Sequence, residues 1–252
     1  MEQKKSLKTI ASEQGIESVP SSWLKYWEEA CLAFPGVDWE CLQDSYFEKL
    51  NEHFNFSGEF LTQLLLAAGS IRENTDICRL IWLCHTILFD EKNYDNDEVY
   101  LWPGKFTSLD KSSGMFHAVV LFSGYENMRA AYCSRFVPRR FIDDAIGAVN
   151  DSIKWYFDRN GTQGLGSIML GWCMCFFSGR LYKLGRLEFE IIQLRKNTDA
   201  FKLGDWVLNV HIPGDGPLNR SECIESFRNA KSFFKHYFSD KDIKGFMCHS
   251  WL

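Results

Sequence analysis

No run of apolar residues reaches the roughly 18 that a membrane-spanning helix requires; the longest, Ile168 to Phe177, is too short. The opening segment MEQKKSLKTIASEQGIESVP is polar throughout and lacks the apolar core of a secretion signal. Runs of Lys or Arg are absent beyond Lys4-Lys5 and Arg139-Arg140, and the net charge is −5 with a pI near 5.7. A nucleic-acid binder usually carries a basic stripe, so that class is disfavoured. No C-x-x-C pair occurs, and Cys173-x-Cys175 lacks both a second pair and a His pair at zinc spacing. These absences predict a cytoplasmic protein with no membrane partner, no nucleic-acid partner and no metal. The nine cysteines, an odd number, are expected as free thiols that behave as small buried hydrophobes.

What is present is ordinary globular material. The 252 residues are 46% hydrophobic and 15% aromatic, with 21 Phe, enough to bury a core without disulfides. Apolar residues recur at three- and four-residue steps in the first half, the signature of amphipathic helices. Trp23, Trp27, Ala30 and Cys31 form one stripe; Tyr46, Phe47, Leu50 and Phe54 form another. Phe60 to Ala68 is a third segment, and Ile77 to Leu88 is the clearest. Met115 to Arg129 resumes helical spacing, with a kink expected at Ser123-Gly124. Phe136-Val137-Pro138 reads as a linker, because the residue before proline avoids the helix and Pro138 can open the next one. The domain boundary is placed there, giving residues 1–137 and 138–252. Phe141 to Phe157 is helical, and GTQGLGS after it is a turn between helices.

Beyond residue 180 the period changes. In LGRLEFEII, Leu187, Phe189 and Ile191 face one side while Glu188 and Glu190 face the other. In DWVLNVHIP, Trp206, Leu208, Val210 and Ile212 oppose Val207, Asn209 and His211. Period two marks strands with one covered face, and the polar loop between them predicts an antiparallel pair. HIPGDGPL then turns from strand into a helix whose stripe is Cys223, Phe227, Ala230, Phe234 and Phe238, with Asn219 and Glu222 at capping-box spacing. Gly245 to Leu252 reads as a last strand, and its abrupt apolar end predicts that further elements are missing.

A glycine turn between strand and helix can hold an anion on free backbone N–H groups at the positive end of the helix dipole. Gly214 and Gly216 permit close approach, whereas Asp215 adds negative charge and Pro217 removes a donor, so a plain structural turn stands beside the anion site. His211 can serve as a general base or as a structural His fixing the turn. Glu188 and Glu190 can take a proton from an amine if burial raises their pKa, or can form a solvated strand face. Arg186 can pair with a carboxylate or a phosphate. His249 and Ser250 lie on the last strand. Tyr94, Tyr100, Trp102 and Pro103 can line a groove or pack as aromatics.

Several longer segments resemble one family. They are Trp82 to Pro103, Val119 to Pro138, Gly179 to Ile191, Val210 to Leu218, Ser226 to Phe238 and Phe246 to Leu252. Together they resemble bacterial acyltransferase-domain proteins with an N-acyltransferase N-terminal domain and a GNAT-like C-terminal domain. The resemblance implies an α+β protein: an N-terminal helical domain, then a GNAT-like mixed α/β domain with a mainly antiparallel sheet. It implies acyl transfer from acetyl-CoA or another acyl-CoA to a small-molecule or peptide amine. In GNAT enzymes the CoA turn reads Gln/Arg-x-x-Gly-x-Gly/Ala, which puts His211 at the first place and Gly214 and Gly216 at the glycines. On that basis His211, Gly214, Asp215, Gly216 and Asn219 are expected at the cofactor, with Glu188, Glu190 and His211 as catalytic candidates. The alternatives are a non-catalytic binding or regulatory protein on a degenerate GNAT-like scaffold, and a thiol enzyme using Cys223 or Cys248.

Overall fold

The computed structural model describes residues 5–13, 18–90, 93, 114–214 and 216–248. The chain forms two compact units, each discontinuous in sequence: residues 1–126 with 146–174, and residues 127–145 with 175–252.

The first unit is helical. It contains α1 (Leu7–Glu13), α2 (Ser21–Leu32), α3 (Asp44–Phe54), α4 (Gly58–Arg72), α5 (Thr75–Leu88) and α6 (Met115–Ser123). The helix starts are chemically marked. Ser57 accepts the Phe60 N–H at the head of α4, and Asn74 accepts from Asp76 and Ile77 at the head of α5. Asn55 closes α3 in the left-handed conformation (φ 51°), which Asn tolerates better than most residues. The core stripes are the ones that the spacing predicts: Trp23 and Trp27, Phe47, Leu50 and Phe54, and Leu80, Ile81, Cys84 and Leu88 are all buried. Phe54, Phe56, Phe60 and Phe122 pack their rings against one another, 5.1–6.3 Å between centroids. His85 lies inside this unit as a satisfied core His. Its ring stacks on Trp82 at 5.5 Å, and its Nδ1 lies 3.1 Å from the Ser123 hydroxyl, which itself donates to the Val120 carbonyl. Burial pushes the His85 imidazole down to about 4.

The expected kink at Ser123-Gly124 is a full break, after which α7 (Tyr125–Ser134) begins. A Cβ on Gly124 would overlap the Phe89 ring, so the chain is bare where that ring crosses it. Next come α8 (Arg139–Asn160), which opens directly after Pro138, and α9 (Ser167–Phe177), joined by the glycine turn.

The second unit carries the sheet. Its strands are β1 (Leu181–Lys183), β2 (Glu188–Gln193), β3 (Trp206–His211) and β4 (Ile243–Met247), with α10 (Arg220–Tyr237) between β3 and β4. The order is β1-β2-β3-β4; the first two pairings are antiparallel and the third is parallel. A parallel neighbour needs a crossover, and α10 supplies it. Tyr182, Phe189 and Phe246 face α10, where they meet Phe233, Phe234 and Phe227 at ring distances of 4.7–5.8 Å. The opposite face carries Lys183, Glu188, Glu190, Asn209 and His211, as the register pairs Lys183↔Glu188, Glu188↔His211 and Glu190↔Asn209 require.

Candidate active site

The polar face of the sheet is not a solvated face. Glu188 is 5% exposed and Glu190 9%. His211 stands directly across from Glu188, yet its ring reaches the diagonal neighbour, with Nε2 3.1 Å from Glu190 Oε2. Diagonal cross-strand positions lie within reach of long side chains. The other carboxylate oxygen faces Arg180, Nη2 to Oε1 3.5 Å. Arg180 precedes β1 and is fixed by its neighbours. Its carbonyl accepts from the Ile191 N–H, its Nε donates to Ser178 Oγ at 3.1 Å, and its Nη2 lies 3.6 Å from Cys175 Sγ.

Burial alone would raise the Glu190 pKa. The hydrogen bond to His211, the Arg180 charge and the contact with Cys175 more than offset it and hold the carboxyl below its ordinary range. An ionised carboxylate only accepts, so His211 Nε2 must carry the proton facing it. In the tautomer protonated on Nε2 the lone pair lies on Nδ1. Asn209 Nδ2 also lies 3.1 Å from Nε2, and Asn209 Oδ1 is buried without a hydrogen-bond partner. Two donors cannot share that contact. Turning the amide over presents Oδ1 to the Nε2–H, which makes both acceptors point at one proton. His211 is more exposed than the two charged groups beside it, with 20% of its side chain accessible against 12% for Glu190 and 13% for Arg180.

The turn follows at once. Gly214 and Gly216 are exposed, neither adopts the left-handed conformation, and a Cβ on either would meet nothing within 4 Å. Nothing in the fold requires glycine at these positions. Arg186 organises the turn from inside: its Nη2 donates to the Pro213 carbonyl at 2.8 Å and to the Gly216 carbonyl, and its Nε to the Pro217 carbonyl at 3.0 Å. In a trans peptide the C=O and N–H point opposite ways. The N–H groups of Gly214 and Leu218 are therefore turned away from the guanidinium. Arg186 thus binds three carbonyls of the turn through its guanidinium. Its own position is set by Ser226, wholly buried on α10, whose Oγ accepts the Arg186 N–H at 2.8 Å and the Leu187 N–H at 3.3 Å.

Asn219 is the N-cap of α10: its Oδ1 accepts the Ser221 N–H at 3.0 Å and the Ser221 hydroxyl at 2.6 Å. The capping box is half realised, with the cap bond closing on Ser221 instead of Glu222. Among the described residues the β3–β4 pairing runs to Asn209↔Met247.

Strand, glycine turn, helix and parallel strand thus follow in that order. Residues 181–252 match the family model of the GNAT-like C-terminal domain. No curated protein sequence matches the chain. Among solved structures, an acyltransferase mutant in complex with octanoyl-CoA superposes with a TM-score of 0.72 at 17% identity, covering 98% of this chain and 73% of that one. An acyltransferase in complex with decanoyl-CoA and teicoplanin gives 0.71 at 18% identity, covering 97% and 72%. A third, the acyltransferase with decanoyl-CoA, gives 0.70 at 17%, covering 98% and 74%. The chain has the fold of these acyltransferases: helices first, then the GNAT-like sheet domain with its mainly antiparallel sheet.

Within the GNAT-like domain, His211 and Glu190 are brought together, Glu188 lies beside them, and Gly214, Gly216 and Asn219 lie in the adjoining turn. Asp215, His249 and Ser250 fall outside the described residues, as do Tyr94, Tyr100, Trp102 and Pro103. Arg180, Asn209 and Ser226 were not singled out from the sequence. Asn209 had a visible signal, being two residues before His211 on one strand face. Arg180 had none. Cys223 is part-exposed and Cys248 exposed, and none of the nine cysteines is in a disulfide. Among the described residues, no helix is long and apolar enough to cross a membrane.

Proposed function

We propose that the chain is an acyl-CoA-dependent N-acyltransferase. The carrying observation is the buried Glu190–His211 pair at the end of β3, immediately before an exposed turn whose N–H groups are turned away from Arg186. The neighbours' octanoyl-CoA and decanoyl-CoA point to a medium-chain acyl-CoA as the first donor to try, with acetyl-CoA as the shorter alternative. The acceptor is a small-molecule or peptide amine; teicoplanin, bound by one neighbour, exemplifies the small-molecule case.

Backbone amides of the 212–219 turn hold the pyrophosphate at the positive end of α10. An amide of the Val210–His211 segment polarises the thioester carbonyl. The amine nitrogen attacks the carbonyl carbon, the new C–N bond forms and the C–S bond breaks. His211 Nδ1 takes the proton from the amine and passes it to the departing thiolate. Glu190 holds the ring in the tautomer that this requires, and Glu188 is the reserve base on the same face.

Calorimetric titration with decanoyl-CoA, acetyl-CoA and free CoA tests the donor site. Saturable binding is expected. The double variant Gly214→Val/Gly216→Val should lose it while unfolding at the same temperature, because no neighbour is crowded. Binding that survives in this variant removes the turn from the site. His211→Ala should still bind donor yet lose turnover against an amine panel, by about 10²–10⁴-fold. Donor binding with no turnover in the unaltered chain favours the non-catalytic scaffold instead.

A further inference from the structure

The first unit holds a cleft of about 420 Å³ that the proposed chemistry does not use. All its lining residues belong to that unit. They come from the link between α3 and α4, the first turn of α4, the later turns of α8 and the glycine turn after α8. Asn150, Ile153, Lys154 and Phe157 are spaced i, i+3, i+4 and i+7, so α8 presents them as one face. Asn150 Nδ2 donates to the Phe54 carbonyl at 2.8 Å, which ties that face to the end of α3.

The apolar part is built from the core outward. Phe56 and Ile153 are buried, and the Phe56 ring packs on Phe54 and Phe60 at 5.1 Å each. Phe157 keeps 37% of its surface exposed, which leaves an aromatic ring for a ligand to cover. Gln163 belongs to GTQGLGS, a motif with no part in the transfer site. The backbone beside it is pinned: a Cβ on Gly164, at φ +153°, would stand 2.9 Å from Gly114 Cα, and the Leu165 N–H donates to the Gly114 carbonyl at 3.1 Å. Gln163 is thus carried on a fixed support, and its side-chain amide has no partner among the described residues.

The charged residues of the lining are one acid and one base, Glu59 in the first turn of α4 and Lys154 on α8. Both are exposed, neither side chain has an ion-pair partner among the described residues, and they do not bridge to each other. A simple cation gains Glu59 but meets Lys154, and a simple anion the reverse. A ligand that carries both charges close together satisfies both.

We propose that this cleft binds an α-amino acid as its zwitterion, with an apolar, aromatic side chain. The ammonium meets Glu59 and Asn150 Oδ1, the carboxylate meets Lys154 and the Gln163 amide N–H, and the ring lies against Phe157 and Phe56. The cleft has the size of a small-molecule site, a class that runs from roughly 300 to 1,000 Å³.

L-phenylalanine is the probe, titrated into the full chain by calorimetry without CoA. Phenethylamine is the arm that lacks the carboxylate, and 3-phenylpropionate the arm that lacks the ammonium. Saturable binding of L-phenylalanine is expected, with each single-charge analogue weaker by about fivefold, the scale of one exposed charge contact. Glu59→Gln should weaken L-phenylalanine by about the same factor and remove its advantage over 3-phenylpropionate. Lys154→Gln should weaken it likewise and remove its advantage over phenethylamine. Phe157→Ala should weaken all three probes without changing their order. No binding by the unaltered chain, equal affinity for the three probes, or an unaltered preference in both E59Q and K154Q would each overturn the proposal. Since the lining lies wholly in the first unit and no donor is present, the outcome is independent of whether the chain is an acyltransferase.

Discussion

Glu190 has each carboxylate oxygen engaged by a different side chain, and its charge keeps His211 in one tautomer. Glu190→Gln keeps the shape but supplies an amide that can donate to Nε2 as readily as accept, so the wrong tautomer becomes available. Turnover is expected to fall by about tenfold or more with donor affinity unchanged; equal turnover in E190Q would mean that the carboxylate does not orient the ring. A loss of donor affinity instead would mark it as structural. The pair itself could not be read from the alternation in LGRLEFEII. Period two tells which face Glu188 and Glu190 share, not what covers that face. Arg180 belongs to the same class of information: its meeting with Glu190 exists only once β1 and β2 have paired.

At the scale of elements, the β1–β2 turn and α10 are locked together at one point. Gly185 has φ +97°, and a Cβ there would stand 2.7 Å from Ser226 Oγ. Gly185→Ala therefore combines backbone strain with a collision at a buried hydroxyl that already accepts two N–H bonds. A loss of about 1–3 kcal/mol is expected by urea unfolding. Ser226→Ala should cost a similar amount by a different route, leaving the Arg186 and Leu187 N–H groups without their acceptor. If both variants unfold like the unaltered chain, the turn is not anchored on α10. The long helices were legible because their burial repeats every three to four residues over several turns, as in Ile77 to Leu88. β2 and β3 were legible by alternation. Leu181–Lys183 was not, since three residues cannot display a period of two convincingly. The last strand runs from Ile243 to Met247, two residues earlier than the apolar run suggests, and its parallel partnership is set by the α10 crossover, which no local pattern encodes.

For the molecule as a whole, acid should act in two windows. His85 is held neutral by burial with a pKa near 4, whereas an unfolded His titrates near 6.5. Between those values the unfolded chain binds the extra proton, so stability falls as pH drops from about 6.5 to 4 and then levels. The loss is on the order of 3 kcal/mol. His85→Phe should flatten that window in urea titrations at stepped pH; an unchanged slope would mean that His85 becomes protonated in place. Glu190 is shifted in the opposite sense for its type. Its stabilisation is complete above the ordinary carboxylate range, about 4.3 for Glu, and is lost as pH falls through its lower folded pKa. E190Q should therefore alter the slope only at the acid end. Ligand binding supplies a second whole-molecule measure. At a hundredfold excess over its dissociation constant, a donor raises stability by about 2.7 kcal/mol. Each methylene that leaves water contributes about 0.8 kcal/mol, so decanoyl-CoA should raise the unfolding temperature more than equimolar acetyl-CoA. Equal shifts would argue for a short-chain donor.

The ring of carbonyls around Arg186 has a consequence for engineering. The direction of the amides in the 212–219 turn is dictated by a side chain from another strand connection, which is in turn seated on Ser226. The turn is consequently not a portable cassette. Moved alone into another strand–helix junction, HIPGDGPL would lose the cation that orients its peptides and could rotate them freely. A functional transplant needs two separate stretches of chain, Gly185-Arg186 and residues 211–226, delivered in one geometry.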